Sequence, residues 1–150
     1  MIVSALYRRM MSPAGFRLDK RIVHHTGCSL MTRLWSKHEG FACPDSLLLY
    51  TRGRKTGVER SAVLPFYPVD GRMIIVGSKG GSPKNPGWAD NLQANPHVRI
   101  RLKRKERPMT ARILEGEERA RVWEVVSRLA PTYITYQGRT DRQIPLVVLE

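Results

Sequence analysis

A largely antiparallel β-sheet carrying a few helices, an α+β fold, is what the sequence predicts, on three observations. From Ser46 onward the chain breaks into short apolar runs, SLLLYT, RSAVLPFY and RMIIVGS, with the length and period of strands. The links between these runs are too short for the crossovers that parallel strands need, so neighbours must run antiparallel. Asp70-Gly71 separates two of the runs by the two-residue signal of a tight hairpin. At 150 residues the chain has room for one sizeable core, and one domain is expected. Its 41% apolar and 26% charged residues are ordinary globular usage, which excludes a compositionally disordered chain.

Residues 1–43 differ in texture from the rest and read as a helical arm appended to a domain over residues 44–150. Within the arm, LDKRIVHHTGCSLMTRLW carries Leu18, Ile22, Leu30 and Leu34 as a partial helical stripe, broken by Gly27 and surrounded by basic residues. Two roles stay open for it: a helix packed on the domain, or a basic amphipathic segment lying on a membrane surface. In RSAVLPFY, Pro65 cannot donate to a ladder, which predicts an edge strand or a bulge. In KNPGWADNLQANP, Asn85 can cap a helix, Pro86 suits the first helical position, and Asn95-Pro96 stops it.

HVRIRLKRKERPMTARIL then alternates Arg99, Arg101 and Lys103 with Val98, Ile100 and Leu102, giving one cationic and one buried strand face, with a hairpin around Arg104-Lys105. Glu115 to Leu129 has acids in its first turn, Val122, Val125, Val126 and Leu129 on one stripe, and Arg128 near its end, the polarity of a helix. Pro131 ends it. The remaining PTYITYQGRTDRQIPLVVLE puts two tyrosines in a loop and closes on the strand IPLVVL. The sum is about six strands with two or three helices.

Lys and Arg number 26 against 13 acids, a formal charge of +13, which concentrates polyanions or anionic membrane around the protein. Cys28 and Cys43 have no metal or redox spacing, and no signal-peptide pattern opens the chain, so a reducing cytoplasm is expected. No run approaches the roughly 18 to 20 apolar residues of a membrane span, so any membrane contact is peripheral, at the inner face of the cell membrane.

The densest charge lies in TRGRKTGVER, Thr51 to Arg60, with four cations and two glycines. A phosphate-binding P-loop needs a second glycine five positions after the first, followed by Lys-Ser/Thr, and Val58 stands at that position. What remains is a generic anion cradle: Arg54 and Lys55 can make charge-assisted bonds, and Gly53 and Gly57 let backbone N–H groups approach. One hairpin away, SKGGSPKNPGW runs a second basic, glycine-containing loop into a helix N-terminus, which also attracts anions. Tyr133 and Tyr136 carry hydroxyls that stay protonated at neutral pH and can serve a developing oxyanion. His24, His25, His38, Cys28 and Cys43 lack convincing ligand spacing, so no metal is expected, and no Ser/His/Asp set is identifiable.

TRGRKTGVER, IIVGSKGGSPKNPGWADNLQANPHVRI and PTYITYQGRTDRQIPLVV, in this order, resemble the deazaflavin-dependent nitroreductase family of actinobacteria, whose members bind coenzyme F420. The likeness runs from about Ser46 to the C-terminus. It implies a split β-barrel of the FMN-binding, pyridoxamine-phosphate-oxidase type, with F420, an 8-hydroxy-5-deazaflavin bearing a phosphate and an oligoglutamate tail, in a groove across it. By this resemblance Arg54, Lys55, Thr56 and Arg60 hold phosphate and tail. Ser61, Ala62, Val63, Leu64 and Pro65 line one side, and Gly87, Trp88, Ala89, Asp90 and Asn91 close the other. Val76, Gly77, Ser78 and Lys79 meet the deazaflavin and ribityl portions, and Tyr133 and Tyr136 face the substrate.

The implied activity is hydride transfer from reduced F420 to an electrophile such as a quinone, a nitro compound or an enone, with Tyr133, Tyr136 and Ser78 as the catalytic candidates. AVLPFY departs from the nitroreductase pattern at Val63 and Pro65, so action on bicyclic nitroimidazoles is not carried over. Two other readings stand beside this one: a non-enzymatic basic binder of nucleic acid, and an FMN- or heme-binding protein of the same fold. Against the first, the aromatic residues do not alternate with the basic ones as a base-stacking platform would, so no specific nucleic-acid partner is expected. A homodimer stays open.

Overall fold

The computed structural model describes residues 2–150. The chain order is α1 (Ile2–Met10), α2 (Pro13–Thr26), α3 (Leu30–Glu39), β1 (Ser46–Arg52), β2 (Glu59–Pro65), β3 (Tyr67–Val69) and β4 (Arg72–Val76). A 3-10 turn (Lys79–Gly81) follows, then α4 (Gly87–Ala94), β5 (His97–Leu102), β6 (Lys105–Ile113), α5 (Gly116–Leu129), α6 (Thr132–Gln137) and β7 (Leu146–Leu149). The strands form one antiparallel sheet in the order β2-β1-β5-β6-β7-β4-β3.

Strands β2 and β3 stand at the two ends of that order, yet only Phe66 separates them in the chain. The sheet therefore has to curl until its ends meet, and it does so as a half-barrel, the split-barrel architecture expected above. β6 carries the curl: residues 105–110 pair with β5, and 111–113 pair with β7. Pro65 is the last residue of the edge strand β2, where its missing N–H costs no ladder bond.

Alternation along the strands fills two apolar layers. Leu47, Leu49, Ile75, Ile100, Val147 and Leu149 are buried in the curl of the sheet with Leu92 of α4. Ile74, Leu146 and Val148 face the other way, beneath Val122 and Val126 of α5 and Tyr133 of α6. Each fully buried side chain of this size contributes about 1.5–3 kcal/mol of transfer free energy.

Several elements differ from the sequence expectations. RSAVLPFY is two strands, broken at Phe66, so the strands number seven among the described residues. The second hairpin turns at Lys103 and Arg104, both with positive φ (48° and 66°), one residue earlier than expected, so Lys103 leaves the cationic strand face. On that face Arg99 pairs with Glu59 and Glu106, and Arg101 with Glu106 and the His24 carbonyl, so its charge is consumed internally. Pro86 occupies the N-cap position of α4, and Asn85 instead accepts a hydrogen bond from Arg142. Tyr133 and Tyr136 sit on a helix, α6, and not in a loop.

In the arm, Gly27 adopts the left-handed conformation (φ 75°) that ends α2 and lets α3 double back. The apolar stripe expected there packs only in part: Leu34 is buried and Ile22 and Leu30 are half-buried, but Leu18 is 49% exposed, and in α2 the buried positions are Gly15, Asp19 and Val23. Asp19 is buried against the N-terminus of α3, where its carboxylate supports the N-cap Ser29. It accepts from Ser29 Oγ (2.7 Å) and from the N–H groups of Leu30 (2.8 Å) and Met31 (3.1 Å). Arg101 Nε binds the His24 carbonyl (3.0 Å) and Ser46 Oγ binds Thr32 Oγ1 (2.9 Å), tying both helices to the sheet. Replacing Asp19 by Ala removes the acceptor of one buried and two part-buried donors. It should lower stability by about 1–3 kcal/mol in urea denaturation, with an unchanged denaturant slope.

Candidate functional site

Curling the sheet leaves a cavity of about 650 Å³ between β2, the 78–80 loop, α4, α6 and the arm. The wall from β2 is the run Ser61 to Pro65, with Val76 of β4 beside it; Trp88 comes from α4, and Tyr133 and Tyr136 from α6. Met11, Phe16, Met31 and Trp35 of the arm complete it. A second hollow of about 380 Å³ is lined by Thr51, Gly53, Arg54, Lys55, Thr56, Arg60, Gly87 and Asn91. Ser61, Ala62 and Trp88 belong to both. One groove therefore runs from an aromatic, apolar end to a cationic end.

The cationic end is held by backbone geometry. Gly53 N–H binds the Val58 carbonyl and Gly57 N–H the Gly53 carbonyl, both at 2.8 Å, with Gly57 left-handed at φ 70°. A Cβ on Gly53 would lie 2.9 Å from Thr56 Oγ1 and 3.1 Å from the Val58 carbonyl, so the tight turn needs glycine. Asn91, almost fully buried, accepts from the Arg54 N–H (3.1 Å) and donates to Thr51 Oγ1 (3.2 Å), fastening the turn to α4. Arg54 is further engaged by Asp90 at 3.4 Å. Lys55 and Arg60 have no carboxylate partner among the described residues, which leaves their charge for a ligand.

At the apolar end the tyrosines are ordered by a small network. Tyr133, 2% exposed, shares a 3.1 Å hydrogen bond with Tyr67 Oη. Burial pushes the Tyr133 phenol well above its ordinary pKa, and burial does the same to Tyr67, so both stay protonated in the fold. Tyr136 Oη accepts from Trp35 Nε1 at 3.0 Å, which leaves its own proton for an acceptor elsewhere.

Most residues anticipated for the site meet here, but three do not line either hollow. Gly77 lies behind the wall, its N–H on the Pro145 carbonyl (2.9 Å). Ala89 is buried beneath α4, and Asp90 faces Arg54 and Asn85. Sequence reasoning missed Tyr67, Trp35, Arg139 and Arg142. Arg139 lines the large cavity and lies over the Tyr136 ring at 5.3 Å. Arg139 also donates to the Gly80 carbonyl (3.2 Å), and Tyr67, Trp35 and Arg142 likewise act on partners dozens of residues away, so no spacing signal marks them.

A family model described as F420H(2)-dependent quinone reductase matches residues 16–150. An F420H(2)-dependent quinone reductase of Mycobacterium tuberculosis is 43% identical over 109 residues, 71% of this chain and 73% of the relative. A solved structure described as an F420-H2 dependent reductase, FDR-A, is similar with a TM-score of 0.62 and 42% identity, covering 70% of this chain and 93% of its own. Another, described as a domain-swapped dimer, has a TM-score of 0.64 and 35% identity, covering 93% of this chain and 100% of its own. The heme storage protein HutZ of Vibrio cholerae, at 17% identity and a TM-score of 0.50 over 70% of this chain and 80% of its own, shares the fold alone.

The buried Tyr67–Tyr133 pair has a consequence for pH. Both phenols titrate higher in the folded than in the unfolded chain, so their contribution is complete below the unfolded value near 10 and is lost as pH rises beyond it. Thermal melts should show a falling midpoint above about pH 10, and Tyr133→Phe should flatten that fall.

Proposed function

Because the chain belongs to the F420H(2)-dependent quinone reductase family, we propose that its groove is where reduced F420 passes a hydride to a quinone. The observation that carries this reading is the junction of the two hollows at Ser61, Ala62 and Trp88, which joins an apolar space to unpaired cations. That polarity matches a cofactor with a flat heterocycle at one end and phosphate and carboxylates at the other. When bound, the deazaflavin supplies the hydride, the step no side chain here can perform.

The chain's own residues would do the rest. Lys55 and Arg60 would hold the anionic portion, with Arg54 and Thr56 beside them, while Asn91 keeps their turn in register. Ala62, Val63, Leu64 and Trp88 would keep water from the heterocycle and set its position against the acceptor. Tyr136 is the better placed hydroxyl to donate a hydrogen bond or proton to an oxygen of the quinone, since it accepts from Trp35 and keeps its own proton free. Tyr133, hydrogen-bonded to Tyr67, would back the ring of Tyr136 and shape the pocket. Ser78 would face the acceptor or the ring edge from the opposite wall.

The arm would give a lipophilic acceptor its entrance. Met11 and Phe16 line the cavity and are still 50% and 45% exposed, with Leu6 and Leu18 also exposed nearby in the chain. Arg8, Arg9, Arg17 and Arg21 accompany them, an arrangement suited to peripheral contact with an anionic membrane surface. No helix among the described residues is long and apolar enough to cross a membrane. Sedimentation with vesicles containing anionic lipid should carry the protein down, and an equal distribution with neutral vesicles would remove this contact.

Titration with F420 and FMN, followed by oxidation of F420H2 on adding menadione, tests the main reading. F420 should bind far more tightly than FMN, and menadione should restore the oxidised absorbance; absence of either result sinks it. Lys55→Ala should weaken F420 binding roughly tenfold or more, the worth of a charged hydrogen bond in a partly desolvated site. Tyr136→Phe should slow turnover by roughly tenfold to a hundredfold, while its F420 dissociation constant stays within about twofold.

A further inference from the structure

Arg142 does not line the groove, yet it holds one of its walls. Its guanidinium donates from Nε to the Ser82 carbonyl (2.8 Å), from Nη1 to the Gly77 carbonyl (3.1 Å) and Asn85 Oδ1 (2.8 Å), and from Nη2 to the Ser78 carbonyl (2.6 Å). Both ends of the connection between β4 and α4 are thus gathered on one planar side chain. A lysine could not do this, because its point charge lacks the fixed fork of donors.

The pull on those carbonyls fixes the opposite side of each peptide. In a trans peptide the C=O and the following N–H point in opposite directions, and the chain has no cis bonds among the described residues. With the Gly77 and Ser78 carbonyls drawn to Arg142, the N–H groups of Ser78 and Lys79 turn away from it. Ser78 and Lys79 line the large cavity, and neither N–H has an acceptor among the described residues. Ser78 is right-handed (φ −73°, ψ −42°) and Lys79 left-handed (φ 45°), the succession that gathers consecutive N–H groups into a concavity. A lysine keeps that conformation only where the surroundings enforce it, and Arg142 supplies the hold.

We propose that Arg142 is a positioning residue that presents the Ser78 and Lys79 N–H groups to the electron-rich edge of the heterocycle in the large cavity. It would thereby govern recognition of the deazaflavin core, while Lys55 governs the anionic portion. This rests on the reading that the groove binds F420.

Two probes separate the contributions: full F420, and the ribityl-bearing 8-hydroxy-5-deazaflavin core that lacks phosphate and glutamates. Arg142→Ala should weaken both by the same factor, roughly tenfold, and millimolar guanidinium should restore part of the loss. Lys55→Ala should weaken full F420 alone. Arg142→Lys keeps the charge and loses the fork, so it should bind the core as poorly as Arg142→Ala does; if Arg142→Ala does not fold, Arg142→Lys decides. Native-like core binding by Arg142→Lys, or a loss confined to full F420, would overturn the proposal. So would a native protein that binds F420 but not the core. A native protein that binds neither probe would remove the cofactor reading, and this inference with it.

Discussion

One residue, Phe66, connects the two edges of the sheet, and that connection governs the rest of the architecture. Seven strands laid flat would hold β2 and β3 several strand spacings apart, farther than a single residue can reach. The sheet must therefore curl, and β6 makes the bend by pairing with one half through its first residues and with the other half through its last. Curling brings the run Ser61 to Pro65 face to face with the helical layer that carries Tyr133 and Tyr136. The groove is the space left by closing a sheet on a short tether.

The groove's chemistry is polarised along its length by the same economy of contacts. Near the sheet interior, aromatic and aliphatic side chains exclude water and order hydroxyls through Trp35 and Tyr67. Toward the β1–β2 turn, the cations divide into two sets. Arg54 is engaged by Asn91 and Asp90, and Arg99 and Arg101 by Glu59 and Glu106, whereas Lys55 and Arg60 have no acidic partner among the described residues. A net charge of +13 says little by itself; the cations that both lack an acidic neighbour and line the groove say where an anion can be held.

Much of this was legible in the sequence wherever local chemistry has only one outcome. Asp70-Gly71 makes its hairpin because both residues accept positive φ, and they show 51° and 73°. Lys103 and Arg104 make an equally tight turn with residues that carry no such signal, so the turn was misplaced by one residue. The cationic cradle of Arg54, Lys55 and Gly57 was readable as a cluster. The roles of Arg142 and Asp19 were not, because each binds mainly backbone groups, which every sequence has. The six-residue α6 was hidden for another reason: a single helical turn and a half carries too little periodicity to be told from a loop.

The arm's contribution to the cavity ties ligand binding to folding. Met11, Phe16, Met31 and Trp35 form part of the wall only while α1 to α3 lie against the sheet, held there by buried Val23 and Leu34, by Trp35 against Tyr133, and by polar contacts such as Arg101 to the His24 carbonyl and Ser46 to Thr32. The binding-competent state is then the docked state. Apparent affinity equals intrinsic affinity multiplied by the fraction of molecules with the arm in place, and any occupant of the cavity raises that fraction in return. Substitutions at the arm's seam, far from any ligand atom, would thus tune affinity through the docking equilibrium alone.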